Sequence, residues 1–329
     1  MDIEKEIITI LTGFQPTCVL MTANELNLFD AIADRPVSAQ AVADELSQSL
    51  KGTERLLNAL AAMGLVNKTG DHYQLHAEWQ PFVTRSGERT MNQWISLVSD
   101  HLETWSKLPD FIRTGQPIRS LMDMLGNDPK KMRAFIDAMH NKALQATWRI
   151  ARELPVGEAK RLLDVGGGPG TYALEWCKLH PHLQATVFDI EPVTQVAQDY
   201  IQKYGLQDRV QTVAGNFNTD PLPSGCDLIL LANVLHMYDA DHAQQLVGKA
   251  AEALEAGGRL IINGLCTDAG QTGPLMDVLF YLNMGMSTEG GRAHPVPEMI
   301  QWLTDAGLSE PRHFRVEAMP PGVLTAVKK

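Results

Sequence analysis

Over the first 150 positions, apolar residues recur mostly at helical spacing. Residues 17–33 keep a helical pattern, and Val37-Ser38-Ala39 leads into AVADEL with a Ser near the helix start. Leu56, Leu57, Leu60 and Met63 follow at helical spacing and stop at Gly64. The next stretch, LVNKTGDHYQLH, makes two short extended runs around Thr69-Gly70-Asp71, which predicts a β-hairpin. Helix–turn–helix followed by a hairpin is a winged-helix pattern. Residues 90–152 read as further amphipathic helices carrying Trp94, Trp105 and Trp148, suited to interdomain and subunit packing.

Beyond Pro155 the period changes. RLLDV, QATVF, VQTV, CDLILLA and RLIIN are short apolar runs separated by helical stretches such as TYALEWCKLH and DHAQQLVGKAAEAL. This alternation predicts an α/β fold with a doubly wound, mostly parallel sheet. Near the end, HFRVEAM and VLTAVKK flank Pro320-Pro321-Gly322, which predicts a hairpin and an antiparallel last strand. The expected division is a winged-helix unit over 1–95, linking helices over 96–152 and the α/β unit over 153–329.

Charge changes the picture of the first unit. The chain carries 28 Lys and Arg against 39 Asp and Glu, a net charge of −11, which disfavours general binding to nucleic acid or anionic membranes. Residues 1–100 hold 7 basic and 13 acidic side chains, and the helix expected from Thr53 to Met63 offers only Arg55. A DNA-reading helix normally brings several donors, so the winged helix is assigned to dimerisation and packing. Cys18, Cys177, Cys226 and Cys266 lie far apart without metal-ligand spacing, so neither a disulfide framework nor a metal site is expected. The start, MDIEKEIITILTGF, is acidic and its apolar run is interrupted, so no signal peptide or membrane span is expected and the location is read as cytoplasmic.

The chemistry begins at Asp164-Val165-Gly166-Gly167-Gly168-Pro169-Gly170, between a strand and a helix. A phosphate-binding loop needs Gly-Lys-Ser/Thr, which is absent, and a dinucleotide fingerprint needs glycine where Thr171 stands. Asp189 ends the next strand, where a carboxylate can accept both hydroxyl protons of a ribose. Gly215-Asn216-Phe217 follows the third strand and offers an amide and a ring to adenine. Together these favour an adenosine ligand held without a phosphate grip. His236, after the fourth strand in LLANVLHMYD, lies at the same end of the sheet and can take a proton near neutral pH.

With these motifs, and with LNLFDAIAD, ERLLNALAAMGLV and GGRAHPVPEMIQWLTDAGL, the chain resembles the S-adenosylmethionine (SAM)-dependent O-methyltransferases of the plant caffeate/hydroxyindole type, including bacterial members. The resemblance spans almost the whole chain. It implies a seven-stranded Rossmann-like methyltransferase sheet, an intertwined homodimer built on the N-terminal domain, and a small-molecule acceptor. It also implies SAM on Asp164, Gly166, Gly168, Gly170, Asp189, Ile190, Asn216, Phe217, Asn233 and Tyr238, with His236 as general base.

Three positions depart from that pattern: Met237 replaces an Asp, Tyr238 replaces a Trp, and Ala293 replaces a Glu that helps orient the histidine. Asp239, Asp241, Glu289 and Glu298 are the acids that could substitute; otherwise the acceptor needs less help from a base, as a thiol, thioether, carboxylate or acidic phenol would. Phe280, Met284, Asp277 and Asn283 in PLMDVLFYLNMGM, with Phe135 and Met139, are the candidate acceptor pocket. A SAM-sensing winged-helix regulator and an inactive paralogue are the alternative readings.

Overall fold

Short polar caps start the helices of the first unit, and left-handed residues stop them. In the computed structural model, which describes residues 2–120, 128–154, 156–315 and 322–329, α1 (Ile3–Thr12) and α2 (Phe14–Glu25) open the chain. Asn27, at φ 57°, separates α2 from α3 (Leu28–Ala31), so the helical pattern of 17–33 is realised as two helices. Then come β1 (Val37–Ser38), α4 (Ala39–Glu45) and α5 (Leu50–Ala62). Ser38 and Ser49 accept the amides of Ala41 and Gly52 and so cap α4 and α5. The cap at Ser49 starts α5 before Thr53 and adds Lys51 to its basic residues. After Gly64, at φ 78°, β2 (Val66–Thr69) and β3 (His72–Leu75) form the expected hairpin, and β1 completes an antiparallel sheet of order β1-β3-β2. Leu28, Phe29, Ile32, Leu57, Leu60 and Tyr73 fill the core of this unit.

The N-terminal segment departs from the expectation of an interrupted apolar run. Ile3–Glu25 is long and apolar enough to cross a membrane by length and composition alone, with a mean hydropathy of 1.2 over its most apolar 18 residues. Ile3, Ile7, Ile8, Leu11 and Phe14 are exposed on it. The unit continues through α6 (Gln80–Val83) and into α7 (Asn92–Ser106), where the division between Met1–Glu103 and Thr104–Lys329 falls.

The second unit contains α8 (Leu108–Thr114), α9 (Pro129–Glu153), β4 (Arg161–Val165), α10 (Thr171–Leu179), β5 (Gln184–Asp189), α11 (Glu191–Tyr204), β6 (Val210–Ala214) and β7 (Cys226–Ala232). It continues with a 3-10 turn at Leu235–Met237, α12 (Ala240–Ala253), β8 (Leu254–Gly264), β9 (Cys266–Thr267), α13 (Leu275–Ser287), β10 (His294–Pro295), α14 (Val296–Asp305), β11 (Leu308–Arg315) and β12 (Gly322–Lys328). Residues 215–225 join β6 to β7 without a helix, the one crossover where the predicted alternation lapses.

The sheet order is β11-β12-β8-β7-β4-β5-β6, with β12 antiparallel to both neighbours and the other strands parallel. Pro320 and Pro321 of the predicted final turn lie outside the described residues. Leu162, Leu228 and Leu230 enter one core, while Leu163, Ile229 and Leu231 enter the other, so both faces of the central strands are buried. The chain winds outward in both directions from the β4–β7 pair. A crevice therefore opens at the carboxyl ends of these two strands, where such sheets bind ligands.

Leu230 is wholly buried at the centre of β7. Leu230→Ala removes methyl groups that neighbours cannot replace, and the expected loss is about 2–5 kcal/mol. Urea unfolding monitored on the α/β unit checks it; an unchanged midpoint contradicts this placement of the core.

Candidate active site

Three glycines make the turn after β4 possible. Gly166, Gly168 and Gly170 have φ of 64°, 56° and 73°, a region costly for residues with a Cβ. A Cβ on Gly168 would point into open space, whereas one on Gly167 would strike the Asp164 carboxyl. The loop is therefore packed tightly beneath and left clear above, as a ligand cradle requires. Asp189, at the end of β5, accepts the Gly168 amide at 2.9 Å and its neighbour Ile190's amide at 2.8 Å. Burial raises its pKa, and those two amides oppose the rise. Its remaining lone pairs stay available to hydroxyl donors.

Asp164 is fully buried, and neither carboxyl oxygen completes a hydrogen bond. Burial pushes its pKa up to about 7; the nearby Ala173 amide pulls it down without reaching bonding geometry, and Asp189 adds to the rise. A buried carboxyl of this kind lacks a positive or donating partner. The far side of the cradle is Phe217, whose ring lies next to Gly166 and meets Tyr238 edge-on at 5.8 Å. Asn216 is exposed and its side-chain oxygen accepts the Asn218 amide, which leaves the NH₂ end to reach a ligand. Lys249, not singled out from sequence, donates to the carbonyls of Phe217, Asn218 and Asp220 and pins this loop. Ile190 is exposed beside Asp189 and presents an apolar side chain there.

The turn after β7 carries the histidine. Asn233 takes a left-handed φ of 55°, and its amide donates to Asn263 of β8 at 2.7 Å. The buried Tyr172 hydroxyl accepts from Asn263 at 2.8 Å and from Asn233 at 3.4 Å, tying the turn to α10. His236 follows, clasped from the backbone side by the segment containing Ala293. Arg292 donates its amide to the His236 carbonyl at 3.0 Å, and the buried His294 bonds the Leu235 carbonyl at 3.1 Å. The adjoining pocket, lined by Asn233, Val234, Asn263 and Leu265, has room for about one water. α13, which does not line that pocket, covers another face of the ring.

On that face Phe280 of α13 meets the His236 ring edge-on at 4.8 Å. Lys142 of α9, which sequence reading passed over, stands 5.4 Å above the Phe280 ring. Phe135, Met139 and Lys142 follow at i, i+4 and i+7, so extending that stripe by one step would have found the lysine. Phe135 packs against the core beside α9, and Met139 and Met284 are half-buried. Burial pushes His236 down to about 3, with the Lys142 cation and His294 contributing, so its imidazole is neutral at pH 7. Burial lowers Lys142 to about 8, which leaves it mostly charged.

Two expectations need correction. Asp277 is fully buried, and its carboxylate is engaged within the protein: it accepts the Cys266 amide at 2.7 Å and pairs with Arg315 at 3.3 Å. Asn283 is buried and its side-chain oxygen accepts from Trp105, which makes it a packing contact within the unit. Two of the four acids proposed to replace the carboxylate at Ala293 are engaged elsewhere. Asp239 caps α12 and pairs with His242, while Glu298 pairs with Arg292. Among the described residues, none hydrogen-bonds the His236 imidazole.

With this geometry in place, comparison with known proteins gives a consistent result. Residues 105–309 match the O-methyltransferase domain and residues 8–79 match the O-methyltransferase dimerisation domain. The chain is similar to 3-hydroxy-5-methyl-1-naphthoate 3-O-methyltransferase of Streptomyces sahachiroi, 30% identical over 97% of this chain and 94% of that one. It is also similar to the tetracenomycin polyketide synthesis 8-O-methyl transferase of Streptomyces glaucescens, 27% identical over 93% and 92%. Among solved structures, human N-acetylserotonin methyltransferase in complex with SAM shares the fold, with a TM-score of 0.90 at 24% identity over 100% and 98%. The chain belongs to the O-methyltransferase family and is a SAM-dependent methyltransferase. Its dimerisation domain indicates a homodimer.

The residues present fit SAM: a cradle open above Gly168, an Asp189 carboxylate that could take ribose hydroxyls, and at Asp164 a buried acid without a partner among the described residues. Asp189→Asn removes the charge that strengthens those hydroxyl contacts, worth about 1.5–3 kcal/mol, so S-adenosylhomocysteine binding should weaken by about 10- to 100-fold. Calorimetry measures this, and unaltered affinity contradicts the assignment.

A second expectation concerns acid stability. Burial keeps folded His294 neutral down to about pH 4, whereas an unfolded histidine protonates near 6.5. Unfolding therefore takes up a proton in that window, and His294 costs stability as pH falls from about 6.5 to 4. His294→Gln should flatten the pH slope there by up to about one proton in urea titrations; an identical slope sinks the claim.

Proposed function

We propose that this enzyme transfers the methyl group of SAM to a hydroxyl of a small aromatic acceptor, with His236 as the group that receives the hydroxyl proton. The observation that carries the reading is the placement of His236. It is held by backbone bonds from Arg292 and His294, at the strand end next to the glycine loop, with its ring against Phe280. The relative named for 3-O-methylation of a hydroxynaphthoate supports an aromatic substrate. Bound SAM supplies a methyl group on a positively charged sulfonium, a strong electrophile that needs little further activation.

The chain's own residues then do three things. The loop at 166–170 with Asp189, Ile190, Asn216, Phe217, Asn233 and Tyr238 holds the cofactor. Phe280, Met284, Phe135 and Met139 exclude water and shape an apolar acceptor site on the Lys142 side of His236. The neutral imidazole accepts the proton as the acceptor oxygen attacks, and alignment supplies much of the rate. Residues 1–95 serve dimerisation, 96–152 bring the pocket-lining helices and 153–329 bind SAM. All four cysteines are free, in keeping with a reducing, cytoplasmic setting.

His236→Ala should lower turnover by about 100-fold with a hydroxyl acceptor while leaving S-adenosylhomocysteine affinity within twofold. Transfer of labelled methyl from SAM checks it. Turnover near that of the unaltered enzyme removes His236 from the proton's path and leaves the methyltransferase assignment intact.

A further inference from the structure

His236 is placed well and equipped poorly. Among the described residues no acid contacts its ring to stabilise it once protonated, and the Lys142 cation already stands near it. An ordinary phenol, with a pKa of about 10, holds its proton far more tightly than this imidazole would. Lys142 supplies what the histidine lacks. It projects from the face of α9 that also carries Phe135 and Met139, and its ammonium lies 5.4 Å from the centre of Phe280, the ring that packs on His236. A half-buried cation over an aromatic wall, beside the group that must deal with the acceptor oxygen, is a site for an anion.

We propose that Lys142 binds the methyl acceptor as an anion, setting its ammonium against an ionised oxygen of an aromatic substrate that lies along Phe280. The proposal rests on reading the His236, Phe280 and α9 surfaces as the acceptor site, and it adds the charge class of the substrate. When the ionised oxygen is the reacting one, its proton has already left to solvent. Its lone pair forms the C–O bond, the methyl C–S bond breaks, and that electron pair neutralises the sulfonium, so no proton remains for His236 to take. When the charge is a carboxylate beside a neutral hydroxyl, the same bonds form and break and the hydroxyl proton passes to His236. In both cases Lys142 offsets the cost of bringing a negative group into an apolar site.

The test uses the full-length enzyme saturated with S-adenosylhomocysteine and matched one- and two-ring hydroxyarenes in three forms: carboxylate, carboxamide, and a nitro form whose phenol is ionised near neutral pH. Calorimetric Kd values for the unaltered enzyme should favour ionised over carboxamide members by at least about tenfold. Lys142→Met should erase that ratio, and Lys142→Arg should retain most of it, with S-adenosylhomocysteine affinity unchanged in both. Preference for the carboxylate alone places the charge on a side group, and preference for the nitro form as well places it on the reacting oxygen. The absence of any preference for ionised members in the unaltered enzyme overturns the proposal, as does equal loss of charged and neutral members in Lys142→Met. The ratio in the unaltered enzyme decides the matter even if Lys142→Met fails to fold. A His236→Ala variant that keeps both the charge preference and its turnover sinks only the general-base role, so the two ideas fail separately.

Discussion

The hydrogen bond from the Gly168 amide to the Asp189 carboxylate joins the ends of two neighbouring strands, and the cofactor site depends on it. The bond can form only because three glycines in left-handed conformations fold the loop back over β4. It turns Asp189 into a group held from below by backbone amides and open above to hydroxyl donors. The strand order does the rest, since β7 pairs with β4 in parallel and so places the His236 turn at the same edge of the crevice. The glycine loop and His236 are neighbours through sheet topology, although they lie about seventy residues apart in sequence.

The histidine is fixed by its backbone. In place of a carboxylate gripping the imidazole, Arg292 and His294 grip the carbonyls of His236 and Leu235, while Tyr172 and two asparagines brace the strand end behind them. The ring is thus oriented without being made more basic, and burial beside a lysine makes it less so. On the proposal made above, such a site would take an acceptor whose oxygen is already acidic or ionised. The departures at Met237 and Ala293 and the presence of Lys142 are consistent with one chemical solution.

The parts of this account that were legible in the sequence are those that chemistry ties to a fixed local position. A glycine loop must follow its strand directly, Asp189 must end the next one, and His236 must stand at the fourth, so the positions of Asp164, Asp189, Phe217 and His236 at the strand ends could be read from motif and strand count. The winged-helix hairpin was legible because Gly64 and Gly70 mark its turns. Side chains whose role depends on packing between distant segments could not be read this way. Asp277 looked like a polar group in an apolar pocket, yet it meets Arg315 and Cys266, partners supplied by tertiary structure. Lys142 carries no motif signal, and only the approach of α13 places an aromatic ring under it. The helix-free connection after β6 carries no periodic signal, because its loop is held by Lys249 from α12.

The central claim is that one crevice holds the nucleoside on Asp189 and presents the sulfur toward the His236–Phe280 face. A crystal structure of the protein with S-adenosylhomocysteine tests it most directly. The account predicts both ribose hydroxyls within hydrogen-bond distance of the Asp189 carboxylate and the sulfur on the Phe280 side of the His236 ring. A nucleoside bound away from Asp189, or a sulfur screened from His236 by the glycine loop, would contradict it.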